Sequence, residues 1–204
     1  MKLVKCDFGR SHVHYLGHIV SGEGIEVDPA KVKAVKDMPA PTSVKQLQVF
    51  LGLCNYYGKY IPSFATHAKP FYKLLKKNTT YIWGDACIHA FDTLKRLLCS
   101  APCLVMPDFS SPFVVHCDAS GGGVGAVLTQ HDKDGCERPI MYVSHKMNDA
   151  ETRYSTTHQE LLAVIYALKK FKPYLYGQQF SIYTDHQRPF RSRRCIARCY
   201  QPAG

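Results

Sequence analysis

The spacing of apolar residues changes along the chain, and each change marks an element. Residues 13–27, VHYLGHIVSGEGIEV, hold two short β-branched and aromatic runs around Ser-Gly-Glu-Gly, the pattern of a β-hairpin. Asp28-Pro29 then predicts a helix start, with Asp28 as N-cap and Pro29 in the first helical position. That helix is expected to run to about Met38, where PAPT breaks it. Thr42 or Ser43 caps the next helix, in which Leu47, Phe50, Leu51 and Cys54 recur at i, i+3, i+4 and i+7, an amphipathic stripe. Pro62 is expected to end it, and a third helix follows through AKPFYKLLKK. After a connector from Asn78 to Trp83, Asp85 is expected to cap a helix over ACIHAFDTLKRLLCS, stopped by Ala101-Pro102.

From Pro112 onward the period shortens. Strands are predicted at 113–117, 123–129 and 139–144, joined by a glycine turn and by HDKDGCE. A helix spans about 157–175, and a last strand, QFSIYTD, closes at Asp185. Three strands, a helix and a strand make a mixed α/β sheet. The last strand is expected to lie parallel to the first, because a helix can carry that crossover.

Composition narrows the class. With 204 residues, 46% hydrophobic and 21% charged, the chain can bury a core. No apolar run approaches the roughly 18 residues of a membrane span, and the N-terminal stretch lacks the continuous apolar core of a signal peptide. An intracellular protein, cytoplasmic or nuclear, with no membrane partner is therefore expected. The nine cysteines include no CxxC, and without matching histidine spacing they read as unpaired thiols rather than zinc ligands. The net charge of +10 is unevenly spread. Residues 1–77 carry 12 Lys/Arg against 5 Asp/Glu, residues 78–186 carry 9 against 11, and residues 187–204 carry 5 against none. A basic front third suits phosphate contacts, although a lysine-rich solvated face has the same composition.

Three carboxylates fall at element ends: Asp118 after the first strand of the second half, Glu160 in the first turn of its helix, and Asp185 at the end of the last strand. If those strands are parallel neighbours, their C-terminal ends meet at the edge where open α/β sheets bind ligands. Like charges at about 4 Å repel by about 4 kcal/mol at an effective dielectric of 20. Divalent cations relieve this. Mg²⁺ takes oxygen ligands, and two such ions can activate a water and stabilise the leaving oxygen of a phosphodiester. Singly, each residue also has a local explanation. Asp118 suits an Asx-turn before the glycines, Thr157 to Glu160 fits a capping box, and Asp185 suits a strand-end turn. His116, His158 and His186 read as surface or supporting residues rather than ligands.

Taken in order, KLVKCDF, YLGHIVSGEGIEVDPAKVKAV, FLGLCNYYGKYI, AFDTLKRLLCSAPCLVMPDFSSPFVVHCDAS, GVGAVLTQ, PIMYVSHKMNDAETRYS, ELLAVIYALKKFKPYLYG and YTDH cover about residues 2–187. They resemble the Pol polyprotein of Ty3/gypsy-type long-terminal-repeat retrotransposons, in the part joining reverse transcriptase to ribonuclease H. The resemblance implies an α/β fold: a ribonuclease H-like mixed sheet, C-terminally truncated, behind a small hairpin-plus-helices thumb/connection unit. It implies three parts: residues 1–77 as the C-terminal part of the reverse transcriptase, 78–187 as an incomplete ribonuclease H-like domain, and 188–204 as a basic tail outside the family pattern. It further implies Asp118, Glu160 and Asp185 as catalytic metal ligands for two Mg²⁺ ions, with Mn²⁺ as a substitute, and Tyr15, Leu16, Gly17 and His18 as the hairpin gripping the primer strand. The implied partners are an RNA–DNA hybrid or other duplex, together with the remaining polymerase palm.

Departures from the family pattern temper the expectation. The polymerase's own aspartates lie upstream of this stretch in the family, so the chain is not expected to polymerise. His158 stands where the family usually has an acidic residue. After TDHQ the tail RPFRSRRCIARCYQPAG departs from a continuation that would supply a further strand, helices and a fourth acidic ligand. Hydrolysis of the RNA strand of hybrids, weak in this chain alone and with an exposed sheet edge, is the expected function. A catalytically inactive nucleic-acid-binding remnant is the alternative. A transposase or integrase core orders its acids Asp, Asp, Glu and fits less well.

Overall fold

The computed structural model describes residues 9–77, 79–120 and 122–184, together with the backbone strand Arg194–Arg198. The chain begins with a three-stranded antiparallel meander, β1 (His12–Tyr15), β2 (His18–Ser21) and β3 (Ile25–Val27). The expected single hairpin is thus two: Leu16 and Gly17 form an additional tight turn, with φ of 49° and 77°. Asp28 caps α1 (Pro29–Lys36) by accepting from Ala30 N, and Ser43 caps α2 (Val44–Tyr56) by accepting from Gln46 N. A 3₁₀ turn (Gly58–Tyr60) and two short helices, α3 (Phe64–His67) and α4 (Lys69–Leu74), replace the single third helix expected.

The stripe on α2 is buried as its period requires: Leu47, Phe50, Leu51 and Cys54 all enter a core with Tyr60, Ile61 and Phe71. Helix α5 (Asp85–Cys99) is capped by Gly84 rather than Asp85, which is its first helical residue. A carboxylate there still favours the helix N-terminus electrostatically. Its apolar face, Cys87, Ala90, Phe91, Leu94 and Leu98, packs into this same core and not against the following sheet. Phe50 lies 4.7 Å from Phe91 and 6.1 Å from Phe71 between ring centroids, and Trp83 stacks on Phe71 at 5.5 Å. Ile25 and Leu104 exchange both backbone hydrogen bonds, at 2.7 and 3.0 Å, which ties the meander to the segment leaving α5.

The second unit is a five-stranded mixed sheet in the order β6-β5-β4-β7-β8. Strands β4 (Phe113–Ser120), β5 (Gly123–His131) and β6 (Glu137–Lys146) form an antiparallel meander. Helix α6 (Thr156–Leu175) then crosses over to β7 (Gln179–Thr184), which runs parallel to β4 with Phe113 opposite Phe180 and Cys117 opposite Thr184. This is the crossover the strand–helix–strand order demands. Strand β8 (Arg194–Arg198) pairs antiparallel with β7, so the edge expected to be open carries a strand drawn from the basic tail. One sheet face packs Phe113, Val115, Cys117, Leu128 and Ile182 against Ala163, Val164, Ala167 and Phe171 of α6.

The opposite face receives the helical unit. Ala65 N donates to Ser144 Oγ at 3.0 Å, and Thr66 Oγ1 donates to Ser120 O at 3.4 Å. Gly123 and Gly125 make this approach possible. A Cβ on Gly123 would stand 2.7 Å from Thr66 Oγ1, and one on Gly125 would stand 3.0 Å from Ser63 Oγ.

Candidate functional site

Strand β4 does not stop before Asp118, as the sequence pattern suggested. Asp118 lies inside it, opposite Gly125, because β5 continues the ladder to Ser120 and Gly123. Pairing with β5 therefore excludes a simple Asx-turn role for Asp118. Alternation along the strand turns Cys117 toward α6 and Asp118 to the other face. There Asp118 is exposed in a cleft of about 390 Å³ lined with Pro62, Ser63, His116, Tyr142 and Tyr183. One wall of the candidate site is thus built by the helical unit.

Glu160 approaches from the α6 side. Helix α6 is capped by Ser155, which accepts from His158 N, so Thr157 does not open a capping box and Glu160 belongs to the second turn. It is 8% exposed and accepts a hydrogen bond from Thr184 Oγ1 at 3.0 Å. Thr184 is the register partner of Cys117, next to Asp118. Burial and the nearby Glu160 charge push the Cys117 thiol up to about 12. Glu160 and Asp118 therefore flank the same end of the β4–β7 pair, from opposite faces. Asp185 follows Thr184 in sequence and lies outside the described residues. Among the described residues no group of three His, Cys, Asp or Glu side chains is close enough to hold a metal ion.

A polar network that the sequence pattern did not single out reaches the cleft at His116. His116 Nε2 and Thr129 Oγ1 both meet Glu137 Oε1 at 2.5 Å. Burial pulls the Glu137 carboxyl upward, but the hydrogen bonds from Thr129 and His116 outweigh it and hold it below its ordinary range. His116 stacks on Tyr183 with centroids 5.1 Å apart. Its position two residues before Asp118, on the same strand face, is the only signal the sequence carries for this.

The four turn residues are far from this cleft in the chain and belong to the first unit. Tyr15 and Leu16 form an exposed tip, while Gly17 and His18 are half-buried against α2. Tyr56 Oη donates to Leu16 O at 2.5 Å, and Tyr57 Oη donates to Gly17 O at 3.1 Å. The His18 ring stacks on Tyr56, and its Nδ1 is 3.0 Å from Tyr60 Oη. No helix among the described residues is long and apolar enough to cross a membrane.

Comparison with known proteins fits this architecture. Residues 83–182 match the model of the RNase H-like domain found in reverse transcriptase. The chain is 44% identical to the retrovirus-related Pol polyprotein from transposon 297 of Drosophila melanogaster, over 92% of its own length and 17% of that protein. It is 38% identical to the Pol polyprotein from transposon gypsy of the same fly, over 90% of the chain and 18% of the relative. The transposon Tf2-3 polyprotein of Schizosaccharomyces pombe is 36% identical, over 90% and 14%. The chain thus spans less than a fifth of the length of these curated relatives. Among solved structures, the foamy viral protease-reverse transcriptase dRH in complex with double-stranded DNA superposes with a TM-score of 0.73 at 25% identity, over 87% of this chain and 31% of that one. The foamy viral protease-reverse transcriptase in complex with an RNA/DNA hybrid gives 0.72 at 24%, over 90% and 26%. A mixed sheet with one parallel crossover, a helical unit seated on it and these relatives across nine-tenths of the chain lead to one assignment: the chain belongs to the Pol polyprotein family of long-terminal-repeat retrotransposons and carries its ribonuclease H-like domain.

Proposed function

We propose that this chain is the part of a reverse transcriptase that holds a nucleic-acid duplex with its first unit and hydrolyses the RNA strand of an RNA–DNA hybrid with its second. The observation carrying this reading is that Asp118 and Glu160 both stand at the C-terminal end of the parallel β4–β7 pair, with Glu160 bonded to Thr184, the register partner of Cys117 beside Asp118. The donors gathered there are hard carboxylate oxygens, a set that suits Mg²⁺ or Mn²⁺. Asp118 and Glu160, with Asp185 next along the chain, would hold the cations, which when bound lower the pKa of a water and neutralise charge on the reacting phosphate. Asp118, exposed on the cleft face, is the carboxylate open to a substrate phosphate. Glu160, buried and held by Thr184, is fixed before substrate arrives, so little ordering is needed on binding. The basic first unit supports a phosphate-led interaction, whose affinity falls steeply with salt. Its similarity to a reverse transcriptase held on double-stranded DNA supports the same reading.

A second reading, a duplex-binding module without catalysis, draws on the absence of a three-ligand cluster among the described residues. One experiment decides. The 204-residue chain is incubated with an end-labelled RNA–DNA hybrid in Mg²⁺, beside Asp118→Asn, and hybrid binding is measured in parallel. Mg²⁺-dependent cleavage lost in Asp118→Asn with binding retained is the expected result. Binding with no cleavage at any metal concentration favours the second reading, and cleavage undiminished by Asp118→Asn refutes the assignment of Asp118.

A further inference from the structure

We infer that Tyr56 and Tyr57 are positioning residues that hold the β1–β2 turn in a strained shape, so that its exposed tip presents a fixed surface to a nucleic-acid strand. This rests on reading Tyr15–His18 as a duplex contact and adds what gives that contact its shape.

The turn is built against local preference. Leu16 and Gly17 both adopt the left-handed region, with φ of 49° and 77°. A two-residue hairpin turn of this kind favours Asn-Gly, and a Cβ is disfavoured there. Leucine gains nothing from burial in exchange, since Leu16 is 68% exposed and Tyr15 is 63% exposed. Strain combined with an apolar tip in solvent marks surfaces kept for contact rather than for folding.

The strain is opposed from α2. The carbonyl of Leu16 accepts from Tyr56 Oη and that of Gly17 from Tyr57 Oη, and Asp28 N donates a second bond to Gly17 O at 3.1 Å. Both tyrosines are 40 residues away in sequence and stand at the end of a helix anchored in the first core by Leu47, Phe50, Leu51 and Cys54. The fit at Gly17 is tight: a Cβ there would stand 2.7 Å from Tyr57 Oη. The Lys31 stem passes beside it, its Cγ 3.8 Å from the same point, so a lysine side chain leaves α1 next to the turn. A rigid aromatic and apolar tip with a lysine on the adjoining helix suits a sugar–phosphate backbone, which offers apolar ribose faces between anionic phosphates.

Equilibrium binding of a fluorescent RNA–DNA hybrid to the full chain tests this, with melting temperature recorded for every variant. Tyr56→Phe and Tyr57→Phe keep the rings and remove only the donors. Each is expected to weaken binding about three- to tenfold, with the melting temperature lowered by no more than the few degrees that one hydrogen bond is worth, so that every variant is fully folded at the assay temperature. Gly17→Ala is expected to weaken binding more than either. Adding Tyr57→Phe removes the oxygen its methyl group would meet, so Gly17→Ala/Tyr57→Phe should bind better than Gly17→Ala alone. A merely structural role predicts no affinity loss in the phenylalanine variants at a temperature where each is fully folded. If both phenylalanine variants bind as the unmodified chain does, while Tyr15→Ser/Leu16→Ser binds weakly, the tip grips without a brace and the inference falls alone. If Tyr15→Ser/Leu16→Ser also binds normally, the duplex-contact reading falls with it.

Discussion

The seat of the helical unit on the sheet can be tested at a single methyl group. Gly123 opens β5 at the point where α3 lies on the sheet face, and Gly123→Ala would put a Cβ 2.7 Å from Thr66 Oγ1. Thr66 could rotate away only by giving up its hydrogen bond to Ser120 O, which at 3.4 Å is already long. Overpacking of this kind costs about 1–3 kcal/mol. Replacing a strand glycine by alanine returns about 0.5–1 kcal/mol of unfolded-state entropy, so the net loss spans about 0–2.5 kcal/mol and centres on about 1–2 kcal/mol. For a chain of this size each kcal/mol moves the melting temperature by about 2–4 °C, so a fall of roughly 2–8 °C is expected by calorimetry. Thr66→Ala alone gives up one weak hydrogen bond and should cost under about 1 kcal/mol. In the double variant the nearest remaining neighbours of the new methyl are His145 O at 3.4 Å and Thr66 N at 3.5 Å. Gly123→Ala should therefore cost little in the Thr66→Ala background, a coupling of about 1 kcal/mol or more. An equal fall in both backgrounds, or none in either, would refute the seat of α3 on this face.

Two further outcomes follow from the first core and its edge. Phe71→Ala empties a fully buried ring site between Phe50 and Trp83 and should cost about 3–5 kcal/mol in denaturant unfolding, with loss of the near-ultraviolet signal of Trp83; a cost under about 1 kcal/mol would contradict the packing. His18 and His67 are both held below the ordinary histidine value near 6.5, His18 by burial and Lys59, His67 by burial and Arg96. The unfolded chain therefore binds protons that the folded chain resists, so their contribution is full above about pH 6.5 and is lost as pH falls through the lowered folded values. Melting temperatures taken between pH 7.5 and 5 should decline toward acid, less so in His18→Asn, and a flat profile in the unmodified chain would count against both.

Where the fold was readable in advance, one residue pattern decided the outcome by itself. Asp28-Pro29 supplies both a cap and a fixed φ, and the Leu47, Phe50, Leu51 and Cys54 stripe has no alternative helical phase. The misreadings have a common cause, which is competition from elsewhere in the chain. Leu16 is no turn signal, and only tyrosines 40 residues away make its backbone tenable. The amphipathic face of α5 is plain from its spacing, but nothing in that spacing says which core receives it. Thr157 and Glu160 match a capping box, yet Ser155 begins the helix two residues earlier and places Glu160 in the second turn, where it accepts from Thr184. Of the candidate site, the placing of Asp118 on the first strand of the sheet and of Glu160 on the long helix was legible, but the faces they occupy were not. Facing depends on strand register, and register here is set by the pairing of β4 with both β5 and β7.

Register also joins the docking of the two units to the chemistry of the site. Asp118 faces Gly125 across the β4–β5 ladder, so on the β5 side no side chain stands opposite its carboxylate. The same missing side chain lets Ser63 come within contact distance of the strand, and Ser63 with Pro62 forms a wall of the cleft. A larger residue at 125 would crowd Asp118 and push the helical unit away in one step. The glycines of GVGAVLTQ are thus explained by what lies above the strand rather than by the turn before it. A carboxylate on a central strand is tolerable here because its face is roofed by a docked element that stops short of it. The cleft therefore belongs to both units jointly, and severing the segment that carries Pro62 and Ser63 would remove a wall of the site while leaving the ladder that holds Asp118 in place.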